Sequence, residues 1–81
     1  MHIDYHVLID ASQDICPIPT IRAKEALDRM SEQQVLKLVA SQTGTVRNIR
    51  TLVKNNHFEL IKEIREGNDF VFYIRKKQMQ G

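Results

Sequence analysis

Apolar and polar positions along this chain repeat with two different periods, and the switches between them mark its elements. His6-Val7-Leu8-Ile9-Asp10 is a short apolar run closed by polar residues, which predicts a first strand buried on both sides. Between positions 17 and 30 the period becomes helical. Pro19, Ala23, Ala26, Leu27 and Met30 fall on one face, with Arg22, Glu25, Asp28 and Arg29 around the others. The polar connection Ser31-Glu32-Gln33-Gln34 leads into Val35-Leu36-Lys37-Leu38-Val39-Ala40, whose branched apolar residues predict a second strand. Residues 41–45 read as a turn, after which Val46, Ile49, Leu52 and Val53 repeat at helical spacing toward Asn55-Asn56. Residues 58–64 and 70–74 predict two strands joined through Glu66-Gly67-Asn68-Asp69 as an antiparallel hairpin. The tail 75–81 offers little to pack and reads as a frayed end.

The resulting order is βαβαββ. Two helices with one apolar stripe each need a single sheet face to cover them, so the expected class is α/β (α+β). It is a two-layer sandwich with two helices packed on one face of a four-stranded mixed sheet. Right-handed crossovers put both helices on the same side and leave the opposite sheet face to solvent or a partner. A chain of 81 residues is enough for one such core and too short for two, so residues 1–81 read as a single domain.

The chemistry in this frame centres on Cys16, the only cysteine, in Cys16-Pro17-Ile18-Pro19. Proline suits the first helical position because its missing N–H would be unpaired there and its φ is already helical. The helix is therefore expected to start at Pro17 with Cys16 as its N-cap, close to free amides and to the dipole end that favours a thiolate. A lone cysteine is more often a small buried hydrophobe, but the paired prolines and the cap position favour a nucleophile. Asp14, two residues upstream, opposes thiolate formation if it faces the sulfur.

Composition narrows the remaining classes. One cysteine forms no internal disulfide, supplies no multi-cysteine zinc site and lacks the resolving partner of a Cys-x-x-Cys reductase. This suits a reducing compartment. The opening Met1-His2-Ile3-Asp4-Tyr5-His6 lacks the pattern of a signal peptide, and no apolar run reaches the ~20 residues of a membrane span, so the expectation is a soluble, cytoplasmic protein. A net charge of +2 with 27% charged residues of both signs does not point to nucleic acid. His2, His6 and His57 are scattered without a carboxylate cluster, so no metal is assigned. Arg22, Lys24, Arg47 and Arg50 lie near the first turns of the two helices and would ring Cys16 with positive charge if those turns share an edge. Ile15, Ile18 and Ile21 lie off the core stripe, where they can form an apolar docking patch beside the thiol or pack on the sheet edge.

Leu8-Ile9-Asp10, then Cys16-Pro17-Ile18-Pro19, then a helix with Ala26-Leu27 and a closing Ile74-Arg75-Lys76 resemble the TusA/SirA-like family of small sulfur-carrier proteins over nearly the whole chain. The resemblance implies a βαβαββ sandwich and a persulfide carrier of sulfurtransferase type that needs no cofactor. Cys16 would accept sulfane sulfur from a cysteine desulfurase or rhodanese-type donor. It would relay that sulfur to an acceptor protein, toward tRNA thiolation or toward sulfur and cofactor metabolism. Pro17, Pro19 and Asp10 would shape the motif, and Ile18, Arg22 and Arg47 are candidates for partner docking. Some positions depart from the family pattern. Gln13 stands where many members have glycine, which implies another path for the loop; Ser41-Gln42-Thr43 replaces an Asp-Asp-Pro or Asp-Pro stretch and Asn48 an aspartate, a loss of acidic groups that bears on partner choice and not on the sulfur chemistry. Two other readings compete: a regulatory or interaction subunit with a structural cysteine, and a small RNA-binding module. Against the second, Phe70, Phe72 and Tyr73 are better explained by strand packing than by base stacking.

Overall fold

The computed structural model describes residues 4–56 and 58–77. Its elements are β1 (Val7–Ala11), α1 (Ile18–Arg29), β2 (Val35–Ala40), α2 (Thr43–Asn55), β3 (Phe58–Glu66) and β4 (Asp69–Lys76). The strands form one mixed sheet in the order β1-β2-β4-β3, with β1 parallel to β2 and β4 antiparallel to both its neighbours. The helices share one core against one face of this sheet. Ala23, Leu27 and Met30 of the α1 segment and Ile49 and Leu52 of α2 pack with Ala11, Leu36, Leu38, Ala40, Phe58, Phe72 and Ile74. The βαβαββ two-layer expectation holds.

The expectation of a doubly buried β1 does not hold. Both helices cover the same face of the sheet, so β1 keeps its other face wet. Val7, Ile9 and Ala11 turn to the core, whereas Leu8 is 53% exposed and Asp10 is exposed. β1 is extended backward by His6, whose N–H donates to Val35 O at 2.8 Å and whose Nδ1 accepts from Val35 N at 3.0 Å. That bracing gives His6 an edge-pairing task. His2 and His57 lie outside the described residues.

α2 starts three residues before its apolar repeat because a polar residue opens the buried stripe. Thr45, Ile49 and Leu52 are its buried positions, spaced as one helical face. The hairpin is also longer than its apolar runs. In β3 the register slips between Leu60 and Lys62, and the extra residue turns the remainder of the strand over. Phe58 and Leu60 face the helices, while Ile64 joins Val35, Val39, Val71 and Tyr73 in a small cluster on the other face of the sheet. That face is therefore partly closed by its own side chains, with Lys37 Nζ lying 5.3 and 5.8 Å from the ring centres of Tyr5 and Tyr73.

The tail is not frayed from residue 75. Arg75 and Lys76 belong to β4, where Arg75 pairs with Glu59, and Lys76 exchanges backbone bonds with Gln33 and Gln34. Lys76 Nζ also donates to the carbonyls of Asp28 at 3.2 Å and Met30 at 2.9 Å. A cation there satisfies carbonyls that the end of α1 leaves open and complements its dipole. Residues 78–81, the rest of that expected tail, lie outside the described residues.

Candidate functional site

The parallel pairing of β1 with β2 builds the site. Its register sets Ala11 against Ala40, so the loop that leaves β1 toward α1 and the loop that leaves β2 toward α2 emerge side by side. Ser41 Oγ donates to Ser12 O at 2.7 Å and stitches the two loops together. On the first loop, Asp10 Oδ1 accepts from Ser12 N at 3.1 Å and from Ser12 Oγ at 2.7 Å, an Asx-type turn that redirects the chain at the end of the strand. The Ser12 hydroxyl, then the Ser12 N–H and more weakly Arg22 hold the Asp10 carboxyl below its usual value. Asp14 N–H then bonds Ala11 O at 3.0 Å.

Cys16 does not cap α1. Ile18 N–H is taken by Ile15 O at 2.9 Å, which closes a turn around a cis Cys16–Pro17 peptide and moves the N-cap to Pro17. The Pro17 carbonyl accepts from Thr20 N and Ile21 N, and Pro19 follows in the first turn with its ring in the core. The half-buried Cys16 is thereby turned toward the start of the other helix. Its N–H donates to Gln42 Oε1 at 2.8 Å, and Asn48 Nδ2 donates to its Sγ at 2.7 Å. A Cβ added at Gly44 would lie 3.8 Å from Sγ, so the sulfur rests against the first turn of α2, which carries no acidic residue.

Three of the four cations expected to ring Cys16 are engaged in ion pairs. Arg22 is paired with Asp14, Lys24 with Asp28 and Arg50 with Glu63. Each cation met a carboxylate within its own reach, so these charges are spent locally. The Arg22 pair also occupies Asp14, the carboxylate nearest Cys16 in sequence. Arg47 is exposed and lines an open groove of about 400 Å³ between the helices, with Pro17, Ile21, Asn48 and Leu52. The three isoleucines off the core stripe are exposed, Ile15 at 66% and Ile18 and Ile21 less so, and do not pack on the sheet edge. Phe72 is fully buried and Tyr73 nearly so, while Phe70 packs against the core, so these aromatics serve as strand packing. Among the described residues no cluster of His, Cys, Asp and Glu could hold a metal, and no helix is long and apolar enough to cross a membrane.

Sequence reasoning singled out Cys16, set it one residue too deep in the helix cap, and read Gln42 and Asn48 only as departures bearing on partner choice; the structure instead sets both, with Gly44, against the cysteine. The available signal was topological: two consecutive βα units in a parallel pair put the loops after their strands at one edge, so the residues after Ala40 belong beside those after Ala11.

Comparison with known proteins gives a consistent result. The family model described as Sulfurtransferase TusA matches residues 7–76. The sulfur carrier protein TusA of Allochromatium vinosum is 38% identical over 73 residues, covering 90% of this chain and 96% of that protein. The sulfur carrier protein TusA of Pseudomonas syringae is 29% identical over 70 residues, covering 86% and 83%. A crystal structure of a SirA-like protein from Desulfitobacterium hafniense superposes with a TM-score of 0.80 at 23% identity, over 90% of this chain and all of that one; this likeness concerns the fold.

Proposed function

The chain belongs to the TusA family of sulfur carriers, and from that premise we propose that Cys16 is the atom that receives, holds and passes on the sulfur. A carrier works between a protein that gives sulfur and one that takes it. In the loading step, the Cys16 thiolate attacks the terminal sulfur of a donor persulfide. A new S–S bond forms on Cys16, the donor's S–S bond breaks, and its electron pair leaves on the donor thiolate. No external oxidant is used. Unloading repeats the exchange, with an acceptor thiolate attacking the terminal sulfur and Cys16 as the leaving group.

The observation that carries this reading is the setting of Sγ: half-buried at an edge of the sandwich, against the acid-free first turn of α2, with an amide donor 2.7 Å away. Helix N-termini favour negative charge at such a position. Loading and unloading also need a sulfur that other proteins can reach and that has no second thiol in its own chain to attack it. With one cysteine in the sequence, a persulfide on Cys16 cannot be discharged by internal disulfide formation. Pro17, Pro19 and Asp10 support it as shapers of the turn. Ile15, Ile18 and Ile21, with Arg47 across the groove, offer a mixed apolar and cationic surface beside the thiol, suited to a cysteine desulfurase or rhodanese-type donor in the cytoplasm. Arg22, bonded to Asp14, steadies the loop.

The test incubates the purified protein with a cysteine desulfurase and cysteine and measures its intact mass under non-reducing conditions. Wild type is expected to gain the mass of one sulfur atom and Cys16→Ser to gain none. An unchanged wild-type mass across several competent desulfurases and rhodaneses would contradict the proposal.

A further inference from the structure

Gln42 occupies the N-cap of α2, yet its side chain makes no cap bond. Its Oε1 instead accepts the Cys16 N–H at 2.8 Å, across 26 residues of chain. Six residues further along, inside α2, Asn48 Nδ2 meets Cys16 Sγ at 2.7 Å, across 32 residues. The cysteine is thus gripped at its backbone and at its sulfur by two carboxamides of one helix. Neither carries a charge, and each presents the half of its amide that its target requires: an oxygen for the N–H and an N–H for the sulfur.

Resting on the reading of Cys16 as the sulfur-bearing atom, we infer that Asn48 is a positioning residue of the transfer reaction. Its amide N–H holds Sγ in place and matches the lone pairs of the thiolate that attacks and of the thiolate that leaves. A thiolate only accepts hydrogen bonds, and a bond from a donor to a charged acceptor is about twice as strong as a neutral one. The donor is therefore worth most in the ionised state that both half-reactions pass through. The other charges near the site do not duplicate this contact. Asp14 and Arg22 are paired with each other, and Arg47 lies on the groove beside Asn48 with no ion pair among the described residues. Gln42 secures the backbone so that Sγ stays within reach of Asn48.

Two variants separate this role from packing. Asn48→Ala withdraws the whole amide. Asn48→Asp has nearly the same shape and keeps an acceptor oxygen, but replaces the donor with a like charge for the thiolate. The readout is the rate of Cys16 alkylation by iodoacetamide across the neutral and alkaline range, which needs no donor protein, alongside thermal melts to establish folding. At neutral pH, Asn48→Ala is expected to react about threefold to tenfold more slowly than wild type, with its pH profile moved to higher pH. Asn48→Asp is expected to react more slowly still, with a larger displacement. If either variant fails to fold, Asn48→Leu, of nearly the same shape and without a donor, takes its place with the outcome expected of Asn48→Ala. Profiles that overlay wild type would overturn the inference. So would a displacement confined to Asn48→Asp, because a carboxylate set beside any thiol has that effect. Desulfurase loading of wild type in parallel keeps the two ideas apart: normal loading with unmoved profiles sinks only the Asn48 role, and failure of wild type to load sinks the carrier reading itself.

Discussion

At the scale of the residue, Cys16 owes its position to contacts that are distant in sequence and adjacent in space. Removing the Gln42 carbonyl should free the Cys16 amide without unfolding the domain. In Gln42→Ala, hydrogen exchange at that N–H is expected to speed up about fivefold, on the order of the ~1 kcal/mol that one hydrogen bond contributes, with the β2 amides unchanged. Asp10 gives a second residue-level outcome. Its carboxyl is held below the ordinary 3.8 by Ser12, so its contribution to stability is complete above that value and is lost as pH falls through the lower folded-state value. The stability gap between wild type and Ser12→Ala should therefore be constant near neutrality and narrow below about pH 4, as read by urea unfolding at each pH. Cys16, proposed as the sulfur-bearing atom, stood out from composition and the proline spacing. Asn48 and Gln42 did not, because their relation to Cys16 is set by strand register, which no local pattern carries.

At the scale of the element, the boundaries that periodicity misplaced are those where a polar residue does apolar work or the reverse. Thr45 opens the buried stripe of α2 while fully buried, and its Oγ1 finds no hydrogen-bond partner among the described residues. Burying an unpaired hydroxyl is costly, so Thr45→Val should raise stability by about 1 kcal/mol in urea titration. Ile61 is apolar yet exposed at the β3 register slip, and that slip lets Ile64 cover the second sheet face. An apolar run alone cannot announce such a change of face, since bulges act through pairing with the partner strand. At the hairpin, Gly67 has a φ of +61°, the left-handed region in which a side chain is strained. Gly67→Ala is expected to cost about 1 kcal/mol, measured the same way.

At the scale of the whole molecule, the core and the site are joined through both ends of the helices. The βαβαββ order was readable because the switches of period are clean, and right-handed crossovers then leave few arrangements of two helices on one face. What could not be read was the return of β4 to the centre of the sheet, with Lys76 closing the C-terminal end of α1. Lys76→Met should lower stability by about 1 kcal/mol. Leu27→Ala, in the fully buried stripe of α1, should cost about 3 kcal/mol. Neither change should alter the chemistry of Cys16 in the molecules that remain folded. The central claim, that this one sulfur atom is the point of loading and discharge, is tested most directly by following labelled sulfur. The protein is charged with radiolabelled cysteine and a desulfurase, freed of donor, and divided between peptide mapping and a chase with an acceptor thiol. The account predicts label on the peptide that contains Cys16 and its quantitative release to the acceptor; label on any other peptide, or label on Cys16 that no thiol discharges, would contradict it.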